Sequence, residues 1–170
     1  MEIQTSIREI QEHFAEHYSS RGALRSPPHI TLQPPFVWNT ERLSELTTHL
    51  QEFVLLRSPI LIVLDGFGAF SQRVIYVDVR KSPELLNLQT DLMAQCESIG
   101  IVDRVSKTRP FSPHMTVAFR DLTRQNFKLA WAQFQHQQLH FEFTATDLTL
   151  LKHNGKQWIV DSNFPFSGNN

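Results

Sequence analysis

The chain has little that would tie it to a membrane, a metal cluster or a large polyanion. Cys96 is the only cysteine in 170 residues. That excludes an intrachain disulfide and thiolate zinc sites, and it suits a reducing cytoplasm. No apolar run approaches the ~18 residues of a spanning helix. No N-terminal stretch joins basic residues to an apolar one, so neither a membrane span nor a signal peptide is expected. Sixteen Lys and Arg against 17 Asp and Glu leave a net charge of −1, so an anionic ligand must be held by a local cluster rather than by overall attraction. Apolar residues, at 41%, are abundant enough for a core. The length suits one domain, or two small lobes that share a core.

Periodicity places the elements. Ile3, Ile7, Ile10, Phe14 and Tyr18 form one helix face. Residues 21–28 read as a loop leading to a strand, His29-Ile-Thr-Leu-Gln33, stopped by Pro34-Pro35. A helix capped by Thr40 carries Leu43, Leu46, Leu50 and Phe53. Strands over 59–65 and 73–79 flank Gly66-Phe67-Gly68, read as a turn. Ser82-Pro83-Glu84 starts a helix with Leu85, Leu88, Leu92, Cys96 and Ile99 inward, and Gly100 closes it. A strand around 114–118, a helix capped by Thr123, a hairpin turning at Asn154-Gly155 and a frayed tail at 167–170 complete the chain.

The order helix, strand, helix, strand, strand occurs twice, with His29 and His114 in matching places 85 residues apart. This predicts an α+β fold of two pseudo-symmetric lobes, about 1–80 and 81–166, from a duplicated unit. Antiparallel sheets would flank a central cleft. The second copy is preceded by the strand Arg73–Val79 and the first has no counterpart, so lobe one should present an open sheet edge, a route to a homodimer.

The chemistry lies in the matched segments Pro28-His-Ile-Thr-Leu32 and Pro113-His-Met-Thr-Val117. Average residue frequencies give Pro-His-apolar-Thr-apolar roughly one chance in two thousand per histidine. On a strand, residues i and i+2 share a face. His29 with Thr31, and His114 with Thr116, then project together while Ile30, Leu32, Met115 and Val117 point to the core. Two imidazoles and two hydroxyls suit a phosphate, because the hydroxyls bond its oxygens and the imidazoles flank its scissile bond. Imidazole exchanges protons near neutral pH, so a pair can act as base and acid without a metal.

Two His-apolar-Thr motifs, one in each half of a duplicated chain of this size, resemble the 2H phosphoesterase superfamily. The branch is that of the 2′-5′ RNA ligase-like proteins, also described as RNA 2′,3′-cyclic phosphodiesterases. Phe67-Gly-Ala-Phe70, the strand from Arg73 and Trp158 extend the resemblance over nearly the whole chain. It implies a hydrolase that opens 2′,3′-cyclic phosphates on an RNA 3′ end or a small cyclic nucleotide, with reversible 2′-5′ ligation as the converse. His29 and His114 would be catalytic, and Thr31 and Thr116 would bind the phosphate. No cofactor, metal or membrane is implied, and the location would be cytoplasmic. Relatives often carry an arginine five residues beyond the second histidine. Here Phe119 stands there and Arg120 follows, which on a regular strand would share a face with His114 and serve the phosphate. Arg25, Lys107 and Arg109 are further cations near a motif.

Phe111 and Phe67 are candidates for stacking on a base. The alternative function is a noncatalytic nucleotide or RNA-end binding module that keeps the cleft. His13 and His17 have the i, i+4 spacing of two metal ligands, without an acidic or thiolate partner nearby in the pattern, and read as surface residues. Cys96, on an apolar helix stripe, reads as an inert core thiol.

Overall fold

The computed structural model describes residues 2–105 and 108–168. Helix α1 (Glu2–His17) is followed by a short 3-10 turn, Gly22–Arg25, and a segment without helix or strand through residue 39. Then come α2 (Leu43–Val54), β1 (Ile60–Phe70), β2 (Val74–Val79), α3 (Pro83–Ser98), β3 (His114–Ala118), α4 (Arg124–Phe134), β4 (His140–Ala145), β5 (Asp147–His153) and β6 (Trp158–Pro165). The fold is α+β with antiparallel sheets, as the sequence indicates.

The strands form a four-stranded sheet, β3-β2-β1-β4, and a two-stranded sheet, β5-β6. β1 is central and takes β2 on one edge and β4 on the other. Strands from both halves of the chain therefore interleave in one sheet, which does not divide at residue 80. One face of this sheet is sealed: Leu64, Ile75, Val77 and Val117 are fully buried, with Ile7, Phe14, Phe127 and Phe134 from α1 and α4 in the same core. β5 and β6 have only each other as strand partners among the described residues.

Local chemistry explains most boundaries. The Ser82 hydroxyl accepts from the Leu85 N–H (3.2 Å), and the Thr123 hydroxyl from the Asn126 N–H (3.1 Å), the capping geometry anticipated at both positions. At the start of the second helix the cap is Asn39, whose side chain accepts from the Glu41 N–H. Thr40 instead opens a 3-10 turn that runs into α2.

Three further expectations are corrected. Gly66-Phe67-Gly68 is not a turn but lies inside β1, where Gly66, at φ 73°, sits in a bulge that adds one residue opposite β2. The actual turn is Ser71-Gln72, both at positive φ and closed by the Arg73 N–H on the Phe70 carbonyl (3.0 Å), the two-residue geometry that matches strand twist. Residues 29–33 form no strand: Leu32 and Gln33 are bends and the segment belongs to no ladder. Pro27, Pro28, Pro34 and Pro35 on its flanks have no N–H to donate to a neighbouring strand, and its Leu32 carbonyl accepts from Gln89 of α3 (3.4 Å). The tail is not frayed at its start, since the Ser167 and Gly168 N–H groups donate to the Val54 and Arg57 carbonyls (3.3 and 2.9 Å). Residues 169 and 170 lie outside the described residues.

Candidate active site

β3 holds the second motif. Met115 and Val117 are buried, while His114 and Thr116 lie on the opposite, partly open face. Cross-strand pairing puts Tyr76 beside Thr116 and Asp78 beside His114 on that same face. Residues 29–33 repeat the alternation without a ladder: Ile30 and Leu32 pack against the core, His29 is half-buried and Thr31 is exposed.

The two imidazoles are held identically. His29 Nδ1 lies 2.7 Å from the Pro27 carbonyl, and His114 Nδ1 lies 2.7 Å from the Ser112 carbonyl. A carbonyl only accepts, so Nδ1 carries the proton in both rings and Nε2 is left for a ligand. The proline in each motif explains the reach. Pro28 and Pro113 force the preceding residue into an extended backbone, and it is that residue's carbonyl that meets the ring.

An aromatic wall flanks His114. Its ring centroid is 5.1 Å from both Phe70 and Tyr76, which are themselves 4.4 Å apart. Tyr76 covers Gly68 so closely that a Cβ there would collide with its ring, an aromatic covering a strand glycine. Burial pushes the Tyr76 phenol pKa up, and the Asp78 carboxylate adds to the rise. The bulge at Gly66 selects these aromatics. Leu64 pairs with Val79 and Phe67 with Val77 on the sealed face, so Gly68 and Phe70 fall on the face of His114. Phe67, expected as a stacking residue, is therefore turned away and packs edge-on against Phe134 (5.0 Å). Phe111 is half-buried against the core near the motif.

Arg120 does not continue the strand. β3 ends at Ala118, and Arg120, at φ 63°, is the centre of a three-residue turn closed by the Asp121 N–H on the Phe119 carbonyl (2.8 Å), a strained conformation for a non-glycine residue. Its guanidinium lies 5.1 Å over the Phe119 ring, so the face shared with His114 on a regular strand is lost. Arg25 and Arg109 are exposed, and Lys107 lies outside the described residues.

Sequence reading missed the residues that hold the motifs from outside. Buried Gln11 donates to the Thr116 carbonyl (3.0 Å), an edge-strand acceptor that β2 does not use. Arg8, on the same helix, donates to the Leu24 and Ser26 carbonyls (3.3 and 3.0 Å) just ahead of His29. A polar residue inside the apolar stripe, Gln11 between Ile7 and Phe14, was the available signal. His13 and His17 stack at 4.1 Å, and among the described residues no three His, Cys, Asp or Glu side chains gather as metal ligands. Cys96 is buried, which pushes its thiol up to about 11. No helix among the described residues is long and apolar enough to cross a membrane.

A half-buried His-Thr pair thus stands on an edge strand with an aromatic wall beside its imidazole, and a second pair stands on the matched segment. The sequence profile of the 2′-5′ RNA ligase superfamily matches residues 1–157, and the chain belongs to that family. A Geobacillus thermodenitrificans protein named "Putative phosphoesterase" is 31% identical over 166 residues, covering 95% of this chain and 91% of the relative. A Geobacillus kaustophilus protein of the same description is 30% identical over the same coverage. Among solved structures, TT0787 of Thermus thermophilus superposes with a TM-score of 0.69 at 20% identity, covering 99% of this chain and 94% of that one. E. coli LigT complexed with 3′-AMP gives 0.65 at 19% identity, covering 95% and 92%. These likenesses show the fold.

Proposed function

We propose that the protein opens 2′,3′-cyclic phosphates, on RNA 3′ ends or on small nucleotides, by proton transfer between His29 and His114. One Nε2 takes a proton from water as its oxygen attacks phosphorus. The bond from phosphorus to one ribose oxygen breaks, and the other Nε2, entering protonated, delivers its proton to that oxygen. Thr31 and Thr116 hydroxyls donate to the nonbridging oxygens, where charge grows in the transition state. With a ribose 5′-hydroxyl attacking phosphorus in place of water and the 3′-oxygen leaving, the same course forms a 2′-5′ linkage, and its reverse cleaves one. Tyr76 and Phe70 supply an apolar wall for the nucleoside beside His114, with Phe111 a further surface for the base. Arg120 reaches the phosphate only by leaving the Phe119 ring.

The observation that carries this reading is the shared ring geometry: both imidazoles present Nε2 after an Nδ1 bond of the same length to the same relative carbonyl. Support comes from the E. coli relative complexed with 3′-AMP, because a 3′-phosphate beside a free 2′-hydroxyl is one of the two products of cyclic opening. The reaction as drawn needs no metal, since the imidazoles supply both proton transfers.

The test is turnover of 2′,3′-cyclic nucleotides, and of a short RNA ending in a cyclic phosphate, in EDTA between about pH 5 and 9. A bell-shaped rate is expected, and His29→Ala and His114→Ala should each lower kcat by about 10²–10⁴-fold. Rates that survive both substitutions overturn the acid–base assignment. Binding without turnover in the intact protein would favour a nucleotide-end binding module.

A further inference from the structure

The two histidine segments are joined directly as well as through α1. The turn on Arg120 aims the Asp121 carboxylate at residues 20–22, where it accepts from the Ser20 hydroxyl (3.0 Å), the Arg21 N–H (2.7 Å) and the Gly22 N–H (3.3 Å). The approach is tight: a Cβ on Gly22 would lie 2.9 Å from the Phe119 carbonyl oxygen. Residues 20–22 begin the stretch that ends at His29, and residues 119–121 follow the strand that begins at His114.

We infer that Asp121 is a positioning residue that sets the approach to His29 in register with the strand of His114. The inference rests on the two-histidine reading. A carboxylate with three donors makes charge-assisted bonds, stronger than neutral ones. Ser20 is 0% exposed, so its hydroxyl has no water to turn to when the carboxylate is removed. Between this clamp and His29 the chain is stiff. Residues 22–25 form a 3-10 turn, Arg8 holds the Leu24 and Ser26 carbonyls, and Pro27 and Pro28 have fixed φ. A displacement at Gly22 is therefore passed along to the imidazole. Proton relays between two groups are sensitive to such shifts, where about 1 Å can cost about 10²-fold in rate.

The experiment compares Asp121→Ala, Asp121→Asn and the milder Ser20→Ala with the intact protein. Asp121→Ala should lower kcat by about 10–100-fold with KM within about threefold, Asp121→Asn should recover part of the loss, and Ser20→Ala should lose about two- to fivefold. In a His29→Ala background, Asp121→Ala should cost nothing further, because no imidazole remains there to be misplaced. Amide hydrogen exchange, which needs no substrate, should rise over residues 20–29 in Asp121→Ala while β3 stays protected. A full additional loss in the His29→Ala background, or exchange raised throughout the chain, would reduce Asp121 to a merely structural residue and overturn the inference. Unchanged kcat would also overturn it. If the intact protein opens no cyclic phosphate, the two-histidine reading fails. The exchange pattern then still decides whether Asp121 joins the segments, and unchanged exchange over 20–29 rejects that.

Discussion

The two motif segments share a sequence pattern and a ring geometry but not a structural setting. His114 stands on a strand hydrogen-bonded to β2, with Met115 and Val117 sunk into the core. His29 stands on an irregular segment with no ladder, held by side chains of α1 and α3. Both imidazoles nevertheless bond the carbonyl two residues upstream at the same distance. The orientation of the ring is therefore written in a few residues around Pro-His, while its location is delegated to whatever packs around the segment. In one case that is a sheet, in the other a set of Arg, Gln and Asp contacts.

This contrast can be broken by measurement. Met115→Ala should destabilise by about 2–5 kcal/mol, as for large-to-small changes in a closed core. Ile30→Ala, on a half-buried segment, should cost about half as much, read from denaturant midpoints. Equal costs would mean that the His29 segment is as firmly built in as β3. Gly68→Ala probes only the His114 side. A Cβ there pushes on Tyr76, which Phe70 and His114 hem in, so about 1–3 kcal/mol is expected, with a fall in turnover and His29 undisturbed. Wild-type stability in that variant would show that the aromatic wall can simply step aside.

The smallest effect comes through α1, the helix both segments lean on. His13 has its pKa lowered, chiefly by burial and then by stacked His17, with Glu16 opposing. The unfolded chain then takes up the proton first as pH falls below about 6.5. The contribution is thus complete above that value and is lost toward lower pH. The thermal midpoint should fall between about pH 7.5 and 5.5 by less in His13→Gln than in the intact protein. An identical fall in both would remove His13 as a source of acid sensitivity.

The helices were legible because period and caps agree, as at Ser82-Pro83 and Thr123. The paired motifs were legible because proline, histidine and threonine each restrict the local backbone or chemistry. The Gly66-Phe-Gly68 error has a plain cause: a glycine at positive φ serves a turn and a bulge equally, and only the pairing of β1 with β2 distinguishes them. Residues 29–33 alternate as a strand should, but a ladder needs a neighbour, which no window of sequence supplies. Gln11 to Thr116, 105 residues apart, and Asp121 to Ser20, 101 apart, are invisible for the same reason.

The bulge in β1 has a consequence for how such a site can change. Strand side chains alternate, and the bulge at Asp65-Gly66 absorbs one residue, so Leu64 and Phe67 face the same way although three positions apart. Removing a single residue there would close the bulge and leave Phe67 inward and Phe70 on the face of His114. Removing two would exchange the roles of Phe67 and Phe70 without altering either one, carrying one aromatic to the open face and the other into the core. Odd and even length changes at this point therefore belong to different kinds of event: the first leaves the aromatic surface beside His114 as it is, and the second rewrites it.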